Sequence, residues 1–68
     1  MEKVKISTEY IKLDQFLKFS SITSSGAESK TLISDGLVKV NGNTELQRGK
    51  KLRKGDTVEL ENRILQID

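Results

Sequence analysis

Apolar and polar residues alternate at the start of the chain. Val4 and Ile6 are interleaved with Lys3 and Lys5, a period of two that predicts a short first strand. From Lys12 the period lengthens. Leu13, Phe16 and Leu17 fall at i, i+3 and i+4, with Asp14, Gln15 and Lys18 off that face. This predicts an amphipathic helix over 12–20, with Phe19 on its apolar face or at its border. The stretch from Ser20 to Gly26 holds five Ser or Thr and reads as a loop. Its end carries a helix start: Ser25, followed three residues later by Glu28, matches a capping box. The serine oxygen takes one orphan backbone N–H and the glutamate reaches back to the serine N–H. A second helix is expected from about Gly26 to Asp35, burying Ala27, Leu32 and Ile33. Gly36 is placed to end it in the left-handed conformation.

Beyond Gly36 the pattern becomes strand-like. Leu37 to Val40 is rich in branched apolar residues and stops at Asn41-Gly42, a strong hairpin signal. A further extended piece is expected over 44–47. Thr57 to Leu60 alternates, with Val58 and Leu60 on one face, and Glu61-Asn62 reads as a tight turn into a last strand, Arg63 to Ile67. The order β-α-α followed by strands predicts one small α+β domain over 1–68: a short first strand, two packed helices, then a small sheet of hairpin strands.

Composition narrows the picture. A chain of 68 residues buries about 60% of the surface its unfolded form exposes, so its core is thin. With no cysteine and no histidine it has no disulfide, zinc cluster or histidine metal site, and must fold on hydrophobic contacts. No apolar run approaches the roughly 18 residues of a membrane span, and the start MEKVK is not followed by a signal-peptide apolar block. A cytoplasmic protein that is not membrane-bound is expected.

Charge changes the picture most. The net charge is +2, yet the segment QRGKKLRK at 47–54 alone holds Arg48, Lys50, Lys51, Arg53 and Lys54 and no acidic residue. The other seven Lys and Arg face ten Asp and Glu, so the rest of the chain is net −3. One positive feature on a mildly acidic body points to an anionic partner. Two readings compete. In one, the run is a solvated hairpin whose lysines keep a sheet edge from pairing with other chains. In the other, it grips phosphates: its charge is one-signed where a merely soluble surface mixes signs, and glycines on both sides let a polyanion approach the backbone. Lysines serve as point charges, while Arg48 and Arg53 bind phosphate in a fork or stack on a base. Tyr10, Phe16 and Phe19 are the only aromatics and none lies within the run. No base-stacking platform for single strands is therefore expected, and recognition by shape and phosphate is.

Other chemistry fits poorly. Asp14, Glu28 and Asp35 have no spacing resembling a paired-carboxylate site, and no nucleophile, shuttle or metal ligand accompanies them. Gly42, Gly49 and Gly55 are spread among strands and open no helix, so they match neither the Walker nor the dinucleotide pattern. The chain is expected to be no enzyme and to take no cofactor or small-molecule substrate.

Leu13-Asp14, the serine-rich loop, LISDGLVKVNG from Leu32 to Gly42, and Gly55-Asp56 follow one another in a familiar order. The chain from Lys12 to Leu60 resembles the RNA-binding domain family named after ribosomal protein S-four, the αL motif. The flanks TEYIKLDQFLK and RGKKLRKGD are similar to its short stand-alone bacterial members, the YaaA type. The resemblance implies RNA binding without chemistry, to structured RNA and in particular ribosomal RNA during ribosome assembly, and a monomer is expected. Lys12 and Lys30 fall on positions that are often basic in the family, although both also read as ordinary solvated helix lysines. The family's Ser-Arg at the start of the second helix is Ser25-Gly26 here, which shifts the phosphate contacts onto 48–54. The site expected is Lys12, Lys30, Arg48, Lys50, Lys51, Arg53 and Lys54, with the two helices and the basic hairpin forming one positive face. The alternative is a module whose basic loop docks an acidic protein or a ribosomal protein. A DNA-binding role ranks third, for want of a basic recognition helix.

Overall fold

Two tight turns organise the sheet. Asn41 and Gly42 have φ of +51° and +85°, and Glu61 and Asn62 have +48° and +65°. Two successive left-handed residues make the turn whose twist matches that of paired strands. The first joins β3 (Lys39–Val40) to β4 (Asn43–Thr44), and the second joins β6 (Thr57–Leu60) to β7 (Arg63–Ile67). The computed structural model describes all of residues 1–68. With β1 (Glu2–Val4) these strands form a five-stranded sheet in the order β1-β7-β6-β3-β4.

The expected strand boundaries at 57–60 and 63–67 hold, but the sheet is not made of hairpins alone. β1 lies parallel to β7, with Glu2 opposite Leu65 and Val4 opposite Ile67. The Ile6 N–H then donates to the Asp68 carbonyl at 3.2 Å, and the Asp68 N–H to the Val4 carbonyl at 2.8 Å. No local pattern announces a partner so far along the chain, because a crossed parallel pairing leaves no turn signal. The extended piece expected over 44–47 shrinks to Asn43–Thr44. After it only the Glu45 N–H still pairs, with the Val38 carbonyl.

Helix α1 runs Leu13–Phe19 and buries Leu13, Phe16 and Leu17, as its period requires; Phe19 is 59% exposed and stands outside the core. Helix α2 runs Gly26–Ser34. The Ser25 hydroxyl accepts the Glu28 N–H at 3.1 Å, while the Glu28 carboxylate takes the N–H of Ser24, one residue earlier than the capping box predicts. At the other end Gly36, with φ of +76°, gives its N–H to the Ile33 carbonyl and Leu37 gives its own to Leu32. This is the Schellman arrangement.

The buried face of α2 also differs from expectation. Ser29 and Ile33 are buried, Leu32 is half-buried and Ala27 is exposed. Ser29 and Ile33 are four residues apart and share a face, whereas Ala27 lies about 200° around the helix from Ser29. The buried Ser29 hydroxyl is satisfied by Thr23 Oγ1 at 2.6 Å and the Asp14 carbonyl at 3.3 Å. It thus ties α2 to the start of α1. Twelve apolar residues form the core, in which Leu13, Phe16, Leu17 and Ile33 of the helices join Val38, just before β3, and Val40, Val58, Leu60, Leu65 and Ile67 of the sheet. Ile6 and Leu52 complete it.

Candidate nucleic-acid interface

The basic run is not a hairpin. Its central residues form β5 (Lys51–Leu52), which pairs antiparallel with β2 (Ile11–Lys12), a strand some forty residues earlier in the chain. The reason lies in one residue. Leu52 is the only apolar side chain between Arg48 and Lys54, and it is fully buried. Burying Leu52 turns its neighbours Lys51 and Arg53 outward, since successive strand residues point to opposite faces.

The register then assembles the charge. Ile11 pairs with Leu52 and Lys12 with Lys51, so the two lysines stand directly opposite each other on the exposed side. Like charges in that position destabilise a strand pair. Neither lysine is in an ion pair, and the same holds for Lys30, Arg48, Lys50, Arg53 and Lys54, because the chain's single ion pair joins Glu2 to Arg63.

Continuing the register by one residue sets Tyr10 opposite Arg53 and diagonal to Lys51. Lys51 Nζ lies 4.8 Å from the Tyr10 ring centroid and Arg53 Cζ 5.8 Å. Both distances fall within cation–π range. The ribbon therefore carries an aromatic ring beside its cations although no aromatic lies within the 47–54 run itself. The linear spacing of Tyr10 and Lys51 hid this, and only the period-two face shared by Tyr10 and Lys12 hinted at it.

The turns on either side of β5 are held by backbone groups, an amide and the Asp56 carboxylate, with no cationic side chain among the partners. Before it, the Lys50 N–H donates to the Gln47 carbonyl at 3.1 Å. The carbonyls of Lys50 and Arg48 in turn accept the Leu13 and Asp14 N–H groups at 2.9 and 3.0 Å. The first N–H groups of α1, which has no side-chain cap at Lys12, are thus satisfied by the basic run itself. After β5, the Asp56 carboxylate accepts the Arg53 N–H at 2.8 Å and the Asn41 amide at 3.1 Å. Asn41 Oδ1 accepts the Thr57 N–H at 2.9 Å. The Asn41-Gly42 and Gly55-Asp56 turns are therefore tied to each other, and Asp56, the acidic residue next to the run, holds backbone and amide groups and forms no ion pair with a cation.

Six of the seven expected site residues lie on the ribbon or its turns: Lys12, Arg48, Lys50, Lys51, Arg53 and Lys54, all exposed. Lys30 is exposed on α2, outside this ribbon, and no hydrogen bond or ion pair links it to the others. No group of three or more Asp or Glu is arranged to hold a metal. No helix is long and apolar enough to cross a membrane.

Comparison with known proteins shows the family and the fold. The family model described as the S4 domain matches residues 4–68. The chain is 43% identical over 58 residues to a Bacillus subtilis (strain 168) protein named "Probable ribosome maturation protein RlbA", covering 85% of this chain and 82% of that one. Among solved structures it resembles YbcJ from E. coli, described as having an αL motif involved in RNA binding. That likeness has a TM-score of 0.73 and 29% identity, over 98% of this chain and 86% of that one. The 30S ribosomal protein S4e of Thermoplasma acidophilum shares the fold, with a TM-score of 0.63 and 21% identity over 85% of this chain and 31% of that one.

Proposed function

The chain belongs to the S4 domain family, and on that premise we propose that it binds structured RNA by its phosphates through the β2–β5 ribbon. The observation that carries this reading is the in-register Lys12–Lys51 pair, with Arg48, Lys50, Arg53 and Lys54 around it and no carboxylate paired to any of them. A polyanion removes the repulsion that the fold leaves in place. Phosphate contacts set position and affinity, and the A-form helix is recognised by shape. Lys30 adds a contact from α2. The relative named for ribosome maturation supports ribosomal RNA as the target and ribosome assembly as the process. The protein acts there as a cytoplasmic monomer, without a cofactor and without catalysis.

Salt titration tests the mode. With about four phosphates neutralised on a duplex, log K falls with log salt at a slope near −3.6, a loss of roughly a hundredfold between 50 and 200 mM. Fluorescence anisotropy on a folded ribosomal RNA fragment measures it. A flat salt response rules out phosphate gripping, and no saturable RNA complex at any salt favours an acidic protein as the partner.

A further inference from the structure

A groove of about 370 Å³ opens between the β1–β2 connection and α1, at the small end of ligand clefts. Ile6, Tyr10, Ile11 and Phe19 form its apolar walls, and Lys12 and Gln15 stand at its polar side. Phosphate gripping makes no use of it. Two features make it more than a surface dent. The chain has three aromatic residues, and two of them border this groove while remaining 37% (Tyr10) and 59% (Phe19) exposed. The groove is also continuous with the ribbon, because Lys12 lines it while pairing with Lys51, and Tyr10 lines it while carrying Lys51 and Arg53 at its ring.

An apolar slot with aromatic walls and cations along one rim matches one chemistry closely: a planar ring attached to phosphates. We propose that the groove receives a single unpaired nucleobase of the bound RNA. The base leaves the stack and lies against Phe19 and Tyr10, while its flanking phosphates rest on Lys12 and Lys51. Aromatic faces accept any base, and specificity for an unpaired one follows because a paired base cannot leave its helix without cost. The Gln15 side-chain amide makes no hydrogen bond within the protein and offers both a donor and an acceptor to the base edge. This inference rests on the RNA-binding reading and adds to it a preference for bulged or looped structure over continuous duplex.

The test uses two RNA hairpins that differ by one bulged 2-aminopurine, with the unmodified chain and Phe19→Ala. Phe19 is chosen because it is exposed and outside the ribbon, so its loss spares both the core and the phosphate contacts. The unmodified chain is expected to bind the bulged hairpin roughly tenfold more tightly than the paired one and to change the 2-aminopurine fluorescence. Phe19→Ala is expected to abolish that preference and leave the affinity for the paired hairpin unchanged. Equal affinity of the unmodified chain for both hairpins overturns the base site and leaves the RNA-binding reading standing. A bulge preference that survives Phe19→Ala also overturns it, and marks the groove as a seat for something else, such as an apolar protein side chain. Failure to bind either hairpin or a folded ribosomal fragment overturns both.

Discussion

Two edges of the molecule handle positive charge in opposite ways. At the β1–β7 edge, Arg63 meets Glu2 in a bidentate pair, with distances of 2.9 and 2.7 Å. That hydrogen bonding holds the Glu2 carboxyl below its ordinary range and pushes the Arg63 guanidinium up. At the β2–β5 ribbon, Lys12 and Lys51 face each other, and Asp56, the carboxylate that follows the run in sequence, is occupied with the Arg53 backbone N–H and the Asn41 amide. One edge closes its electrostatics within the fold and the other leaves them open. The contrast teaches that sign and register together set the ribbon apart: an exposed pair adds little stability wherever it lies, but only the ribbon places two like charges directly opposite each other.

The largest expected effect breaks the ribbon itself. Leu52 is the one residue of the basic run in the core, so Leu52→Ala is expected to cost about 2–5 kcal/mol, most of the stability of a domain this small. A thermal melt within a few degrees of the parent would mean that β5 is held by something other than its apolar anchor.

Next comes charge reversal, which sets one edge against the other. Lys50→Glu with Lys51→Glu and Lys3→Glu with Lys5→Glu each lower the net charge from +2 to −2. The ribbon pair is expected to lose RNA affinity by well over tenfold, having removed close contacts and added repulsion at short range. The pair near β1 should lose only the screened share, because charges beyond roughly 8 Å count for little at physiological ionic strength. All four lysines are exposed, so circular dichroism should show both variants folded. Equal losses in anisotropy would assign binding to net charge alone.

A smaller effect comes from the ties that position the ribbon's ends. Asn41→Ala removes the bonds to Asp56 and the Thr57 N–H and is expected to cost about 1 kcal/mol. Ser25→Ala, which uncaps α2, belongs in the same range, roughly 0.5–2 kcal/mol. Chemical denaturation separates the two sites from binding: Ser25→Ala should leave RNA affinity intact, and a marked loss would bring the start of α2 into the interface.

The smallest effect sharpens the closed edge. The Glu2 carboxyl is depressed, so its stabilising share is full above the unfolded-state pKa near 4.5 and is lost as pH falls through the lower folded value. Both partners are exposed, so the shift in melting temperature on Glu2→Gln should be slight at pH 7 and shrink further in acid. A difference that grew in acid would reverse the sign and remove the pair as its cause.

Much of the fold was legible from local pattern. The 57–60 and 63–67 strands, both left-handed turns and the face of α1 follow from periods and turn chemistry that a few neighbouring residues settle among themselves. Ala27 and Ser29 show where this stops. Both are small, and hydrophobicity favours the wrong one, because burial of Ser29 depends on hydrogen bonds to Thr23 and to the Asp14 carbonyl, fifteen residues away, that the helix period does not reveal. Phe19 shows the same limit from the other side, since the helix period admits it to the core and the tertiary packing leaves it at the rim of the groove.

The candidate site divides along the same line. The amino-acid order by itself determined which residues carry the positive charge, that a leucine interrupts them, and which turns flank them; these are matters of composition and short-range chemistry. Only the tertiary structure decided that the run pairs with Ile11–Lys12, that Lys12 therefore faces Lys51, and that Tyr10 comes to lie at Lys51 and Arg53. Closing that loop of about forty residues costs entropy that no local segment can repay. It is repaid by Leu52 entering a core built from both helices and from β3, β6 and β7 of the sheet.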